Sequence, residues 1–161
     1  HLMWRMFCPR PRRTVCLCGA SLNKKMNMKL LISTEQNSHF SVAIGQDEID
    51  KVKVVKKPYR QSELLLRTIK ELLESQNKKL EDLKGLIVVS GPGAFSALRI
   101  GVTTANALAY SLDVPVVGVE VLEEDKLDKV FEDGVLKLKG KKKFEMKAVV
   151  VPEYGREPNI S

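Results

Sequence analysis

From Met26 onward the chain alternates short apolar runs with polar breaks, and the spacing inside each run predicts an element. Residues 29–33 (KLLIS) and 41–45 (SVAIG) read as strands, as does Ile49–Val55, where Ile49, Val52, Val54 and Val55 stand among charges. Three strands this close together suggest an antiparallel meander. Pro58 ends that pattern. Ser62 then offers an N-cap to a helix over residues 63–76, whose core stripe is Leu65, Ile69, Leu72 and Leu73. Leu64 and Leu66 widen its apolar face beyond one stripe. The β-branched run 86–89 fits a central parallel strand. It leads through Ser90-Gly91-Pro92-Gly93 into a second helix over 94–112, and residues 114–119 form another buried strand. Residues 120–131 read as a short charged helix stopped by Gly134, and residues 135–139 and 144–151 as a hairpin around Gly140.

The order β-β-β-α-β-α-β predicts an α/β layer fold with a mixed five-stranded sheet, right-handed crossovers and a C-terminal hairpin. No internal repeat is visible. The longest apolar runs, 85–89 and 114–119, are strand-sized and too short to span a bilayer, so no membrane association is expected.

The 161 residues carry a formal net charge of +7, which points toward nucleic acid until the charge is located. Residues 1–25 hold Arg5, Arg10, Arg12, Arg13, Lys24 and Lys25 and no acid, and the rest of the chain is close to neutral. Cys8, Cys16, Cys18 and Trp4 also lie in this leader, so the body can build neither a disulfide nor a thiolate metal site. An Arg-rich, acid-free start is compatible with a transit peptide, though Pro9 and Pro11 spoil an amphipathic helix. A secretory signal lacks its apolar region, and the cysteine spacing matches no closed zinc site. The expectation taken is an upstream extension of a start at Met26 or Met28, and residues 1–25 are left out of the fold. Near the other end, Lys137, Lys139, Lys141, Lys142, Lys143 and Lys147 face one acid, Glu145. Lysines guarding a hairpin edge are the commoner explanation, and a tRNA contact through Lys141, Lys142 and Lys143 the sharper one.

The Gly91 turn carries the most information. Strand, Gly-Pro-Gly and helix together put backbone N–H groups at a helix N-terminus, where anions are favoured. The turn lacks the Gly-Lys-Ser/Thr of a Walker loop, and Ser96 stands where a dinucleotide fingerprint needs its third glycine. In the following helix Ala97, Gly101, Ala105 and Ala109 recur at four-residue steps as a stripe of small side chains. Such a stripe suits close packing on the chain's own sheet or against a partner, and both readings stand. Arg99, in the first turn, gains nothing from the helix dipole and calls for an acidic partner.

Residues 90–101, SGPGAFSALRIG, resemble the TsaB family signature, usually GPGSFTGLRIG. That family is the dimerisation subunit of the bacterial machinery that makes threonylcarbamoyladenosine in tRNA. Residues 41–44 (SVAI) are similar to its second strand, and Gln61-Ser62-Glu63-Leu64-Leu65 to its His-Ser-Glu-x-Leu-Leu helix start with Gln61 for the histidine. Residues 80–86 resemble its approach to the fourth strand, residues 114–119 its Ile-Pro-Val-Val-Gly-Val strand, and Pro152, Tyr154, Arg156 and Pro158 its closing Pro-x-Tyr-x-Arg-x-Pro tail. The resemblance implies an actin-like ATPase, RNase H-type domain over residues 26–134, with 135–161 as a basic hairpin and tail replacing the usual second domain.

It also implies a non-catalytic subunit. The related catalytic subunit TsaD carries a His-x-x-x-His metal pair after the strand corresponding to 114–119. Here Glu120-Val121-Leu122-Glu123-Glu124-Asp125 stands there, and the only histidines are His1 and His39. The first strand ends Ile32-Ser33-Thr34-Glu35, without the aspartate that ATP-using relatives place at the phosphates. No cofactor is expected on this chain, and ATP and metal would belong to the partner.

The expected partner is a TsaD-type subunit, joined by a TsaE-type ATPase, with tRNA met indirectly and a homodimer formed when alone, all in the cytoplasm. The candidate partner interface is Ser62, Glu63, Leu66, Gly91, Pro92, Gly93, Phe95, Ala97, Leu98, Arg99, Gly101 and Ala105. The alternative is a small phosphate- or ATP-binding, or peptidase-like, enzyme of the same superfamily, resting on the glycine turn and analogy of fold.

Overall fold

The computed structural model describes residues 27–34, 36, 38–56, 60–121 and 126–153. The basic leader with its cysteines, Glu35, Pro58, the acids at 123–125 and the tail residues Tyr154, Arg156 and Pro158 lie outside the described residues.

The predicted meander is present. Strands β1 (Met28–Ser33), β2 (Phe40–Gly45) and β3 (Ile49–Val55) pair antiparallel, with Leu31 opposite Ala43 and Ala43 opposite Val52. Helix α1 (Gln61–Ser75) leads to β4 (Leu83–Gly91), which joins β1 in parallel with Leu30 opposite Leu86. Helix α2 (Phe95–Leu112) leads to β5 (Val116–Glu120), parallel to β4, and α3 (Leu127–Leu138) follows. The sheet order is β3-β2-β1-β4-β5, the mixed five-stranded sheet expected of an actin-like, RNase H-type domain.

Alternation along the strands sorts the core into two layers. Leu30, Ile32, Val42, Ile44, Leu86 and Val88 meet α1 and α2 through Leu65, Ile69, Leu72, Leu73, Val102 and Ala105. Leu31, Ala43, Ile87, Val89, Val117 and Val119 meet Val130, Phe131, Val135 and Leu138 of α3. The central strands read as unbroken apolar runs because both of their faces are covered. Across the edge, Lys53 of β3 pairs with Glu71 of α1, which Arg67 also reaches at 3.1 Å. Those two cations hold the Glu71 carboxyl below the usual range.

Helix ends differ from expectation in detail. Arg60, not Ser62, is the N-cap of α1, and Ser62 lies exposed in the first turn. Gln61 is buried, and its amide donates to the Gln36 carbonyl at 2.9 Å, tying α1 to the β1–β2 connection. Asn77 after α1 and Asp113 after α2 take the left-handed conformation that glycine usually fills at a helix end.

Among the described residues the C-terminal hairpin is absent, and the last helix lies farther along the chain than expected, over the hairpin's first arm. Glu120 ends β5, and α3 runs from Leu127 through Gly134 to Leu138. Leu127, Val130, Phe131, Val135 and Leu138 keep the three-and-four spacing of one helical face, and this outweighs the Leu-Lys alternation after Gly134. Gly134 does not stop the helix. It is buried where α3 crosses β4, and a Cβ there would come within 2.7 Å of Ile87 Cδ1. After a turn at Gly140, Phe144 packs at the edge of the larger layer and meets the Tyr110 ring edge-to-face, 5.6 Å between centroids. A short 3₁₀ turn, Met146–Ala148, follows, and residues 149–153 run back over the body.

The close crossing at Gly134 decides the sign of a simple substitution. Alanine gains about 1 kcal/mol of helix propensity over glycine, whereas crowding a packed interior costs about 1–3 kcal/mol. Gly134→Ala is expected to lower unfolding stability in denaturant by about 1 kcal/mol. Combined with Ile87→Ala, which removes the obstructing side chain, the same substitution is expected to become neutral or stabilising.

Candidate functional site

Two regions gather the residues singled out in the sequence. The first is the carboxyl end of the parallel strands, where β1, β4 and β5 finish side by side. Gly91 ends β4 at φ +139°, a conformation open to glycine, and the Gly91–Pro92 peptide is cis. A Cβ on Gly91 would overlap the carbonyl of Glu153. The turn is therefore packed against the chain's own C-terminal segment. Gly93 is half-buried and Pro92 exposed.

That segment is strapped down at two points. The Asn106 side chain of α2 clasps the backbone of Val150, donating to its carbonyl at 2.9 Å and accepting from its N–H at 3.1 Å. Farther along, the Glu153 N–H donates to the Ser90 carbonyl at 2.7 Å. Its side chain meets Glu120 at the end of β5. The hydrogen bond and the charge of Glu120, with some desolvation, push the Glu153 carboxyl above the usual range, and Lys137 pulls it the other way. Lys137 itself donates to the Gly118 carbonyl at 3.0 Å. Nothing in the sequence pattern pointed to Asn106, because a side chain that binds backbone leaves no complementary residue type to recognise.

Thr34, just past β1, is fully buried, and its hydroxyl has no hydrogen-bond partner among the described residues. It lies against α2 at Gly101, where a Cβ would overlap its Oγ1. This settles the small-residue stripe. Ala97, Gly101, Ala105 and Ala109 are buried inside the chain, and Leu98 with them. Their smallness lets α2 lie close on the chain's own sheet, so Ala97, Leu98, Gly101 and Ala105 are corrected from interface candidates to packing positions.

The second region is the outward side of α1 and α2. Ser62, Glu63, Leu66 and Arg99 are exposed there. Glu63 is paired with Arg60 at 3.0 Å. Ser62, Ser96, Arg99, Ile100, Thr103 and Thr104 line an open groove between the two helices. Phe95 opens α2. Among the described residues no three His, Cys, Asp or Glu come together as metal ligands, and no helix is long and apolar enough to cross a membrane. Lys141, Lys142 and Lys143 are exposed at the far end of the sheet.

Residues 59–133 match the family model "TsaD: tRNA N6-adenosine threonylcarbamoyltransferase", which takes in α1, the Gly91 turn, α2 and most of α3. The TsaB protein of Bacillus subtilis (strain 168) is 42% identical over 55 residues, covering 34% of this chain and 24% of that protein. The tRNA N6-adenosine threonylcarbamoyltransferase of Geotalea uraniireducens (strain Rf4) is 41% identical over 61 residues, 38% of this chain and 18% of the enzyme. Among solved structures, YeaZ from Pseudomonas aeruginosa superposes with a TM-score of 0.55 at 26% identity, over 59% of this chain and 44% of that one. The chain is TsaB-like. This TsaB-like chain spans less than a quarter of the length of these two sequence relatives and under half of YeaZ.

The Glu120–Glu153 contact gives the strap a pH dependence of known sign. A carboxyl raised in the docked state holds its proton more tightly there than when free. Docking is therefore strongest below the ordinary glutamate range and weakens as pH rises from that range through the raised value. Protection of the Glu153 amide from hydrogen exchange, corrected for intrinsic rate, is expected to fall across that interval. Glu153→Gln is expected to flatten the profile, and pH-independent protection in the wild type would contradict this origin.

Proposed function

We propose that this chain is a non-catalytic, TsaB-type partner of a TsaD-like catalytic subunit, supporting N6-threonylcarbamoylation of the adenosine next to the tRNA anticodon in the cytoplasm. One observation carries the reading. The stretch that matches the threonylcarbamoyltransferase family is the stretch that builds α1, the Gly91 turn and α2, and the outward sides of those helices form one continuous surface. Leu66, 48% exposed, continues that surface one helical turn beyond Ser62. A large apolar residue beside a guanidinium and several hydroxyls is the composition of an anchor with a polar rim.

The inward stripe contributes indirectly, by holding α2 flat on the sheet so that Arg99 and Thr103 face out together. The non-catalytic part of the reading is supported by what the strand ends present: a threonine, a glycine turn covered by Glu153, and a glutamate engaged by the tail. A TsaE-type ATPase would join through the catalytic subunit, and a homodimer would use the same α1–α2 face when that subunit is absent.

Co-purification with a tagged TsaD-type subunit tests the proposal. The wild type is expected to be captured. Leu66→Glu and Arg99→Glu, at exposed positions, are expected to lose at least about ten-fold in affinity, in the range of interface anchors, while circular dichroism shows the fold retained. Undiminished capture of both variants would remove this face from the interface, and failure of the wild type to bind would overturn the partnership.

A further inference from the structure

We infer that the lysine-bearing turn after α3, together with Lys84, is a docking surface for the phosphate backbone of RNA. The choice of RNA among polyanions rests on the tRNA-directed reading above. The location rests on the structure.

Lys84, Lys139, Lys141, Lys142, Lys143 and Lys147 are all exposed, and among the described residues none of their side chains makes an ion pair or hydrogen bond. Several other basic groups have partners: Lys53 and Arg67 on Glu71, Arg60 on Glu63, Lys137 on the Gly118 carbonyl. Among the described residues, the other exposed lysines without one, Lys56, Lys70, Lys79 and Lys126, are scattered rather than gathered in one turn. A concentration of unpaired like charges repels itself, so the fold alone gives no reason for it. Protection of a hairpin edge is not the reason, because no strand forms over residues 135–151, and of these lysines only Lys141 lines the groove beside the edge strand β5. The dipole of α3 accounts at most for the residues at its last turn, whereas Lys141, Lys142, Lys143 and Lys147 lie beyond it.

The turn is also held in place. Phe144, in its middle, packs on the core edge and against Tyr110, so the lysines are displayed from an anchored segment. Ordering such a segment on binding costs less than ordering a free tail. The fold brings distant bases to it. A groove of about 570 Å³ at the amino ends of β1 and β4 is lined by Lys29, Lys84, Lys139, Lys141 and Lys142. Its acids are Asp47, Glu81 and Asp113, and Lys29 approaches Asp47 at 4.0 Å. Flexible ammonium groups in such an array suit phosphates as point charges and read no bases, so binding here is insensitive to sequence and sensitive to salt. The groove shares no residue with the α1–α2 surface, which leaves both open to separate partners.

The test titrates an unmodified tRNA transcript into the full chain and follows affinity between about 50 and 200 mM salt. Replacing Lys139, Lys141 and Lys142 by Gln is expected to weaken binding at least about ten-fold and to reduce the log–log salt slope by about two to three, from the release of one counterion per lost phosphate contact. Removing the same charge at Lys51, Lys56 and Lys70 is expected to leave both quantities unchanged, with the basic first 25 residues common to both variants. Equal losses in the two variants would overturn the inference. So would anionic phospholipid vesicles that bind with this lysine dependence while tRNA does not. Capture by the TsaD-type subunit is measured separately, so a failure there counts against the proposed function and a failure of the salt slope counts against this surface.

Discussion

Parallel pairing of β1 with β4 joins two segments far apart in the chain, and the remaining elements take their places from it. The pair is covered on both faces, so its backbone groups must satisfy each other and its side chains must be apolar on both sides. Once it forms, β2 and β3 can extend the sheet only on the β1 side and β5 only on the β4 side. The helices then divide between two faces, α1 and α2 on one and α3 on the other. The carboxyl ends of three parallel strands are left side by side, and their amino ends open onto the lysine groove.

How closely the helices approach this sheet is set by missing side-chain atoms. Gly101 admits Thr34 beneath α2, and Gly134 admits Ile87 beneath α3. In both helices a feature with an obvious local meaning serves packing instead. The small-residue stripe of α2 is turned inward, and the glycine of α3 lies within the helix. The other side of α1 and α2 is left outward, where Ser62, Ser96, Arg99, Ile100, Thr103 and Thr104 line a groove of mostly polar residues.

The meander, both long helices and the central strands were legible in the sequence because each is patterned on its own scale, at period two or three to four, and bounded by breakers. The leucine stripe of α1 lies as the spacing implied, with Leu65, Ile69, Leu72 and Leu73 all buried. The last third was misread where two periods compete. Val135-Leu136-Lys137-Leu138-Lys139 fits a strand by alternation and a helix by continuity with Val130 and Phe131, and burial of that continuous face against the sheet decides for the helix. The strap was invisible for a different reason. Asn106 binds main chain, Ser90 contributes a carbonyl, and the Glu120–Glu153 contact joins like charges that no complementarity rule would pair.

The Asn106 clasp has a consequence for how the C-terminal segment can change over evolutionary time. An amide that grips one N–H and one C=O recognises a position and is blind to the side chain standing there. Substitutions at the exposed residues Val149 and Val151 can accumulate without loosening the grip, whereas residue 150 must keep its N–H, which proline alone lacks, and its packing on the core. An insertion or deletion between α3 and Val150 would instead present the wrong peptide unit to α2. The segment is thus open to change at its exposed positions and constrained in length, whereas an ordinary surface loop tolerates insertions and deletions.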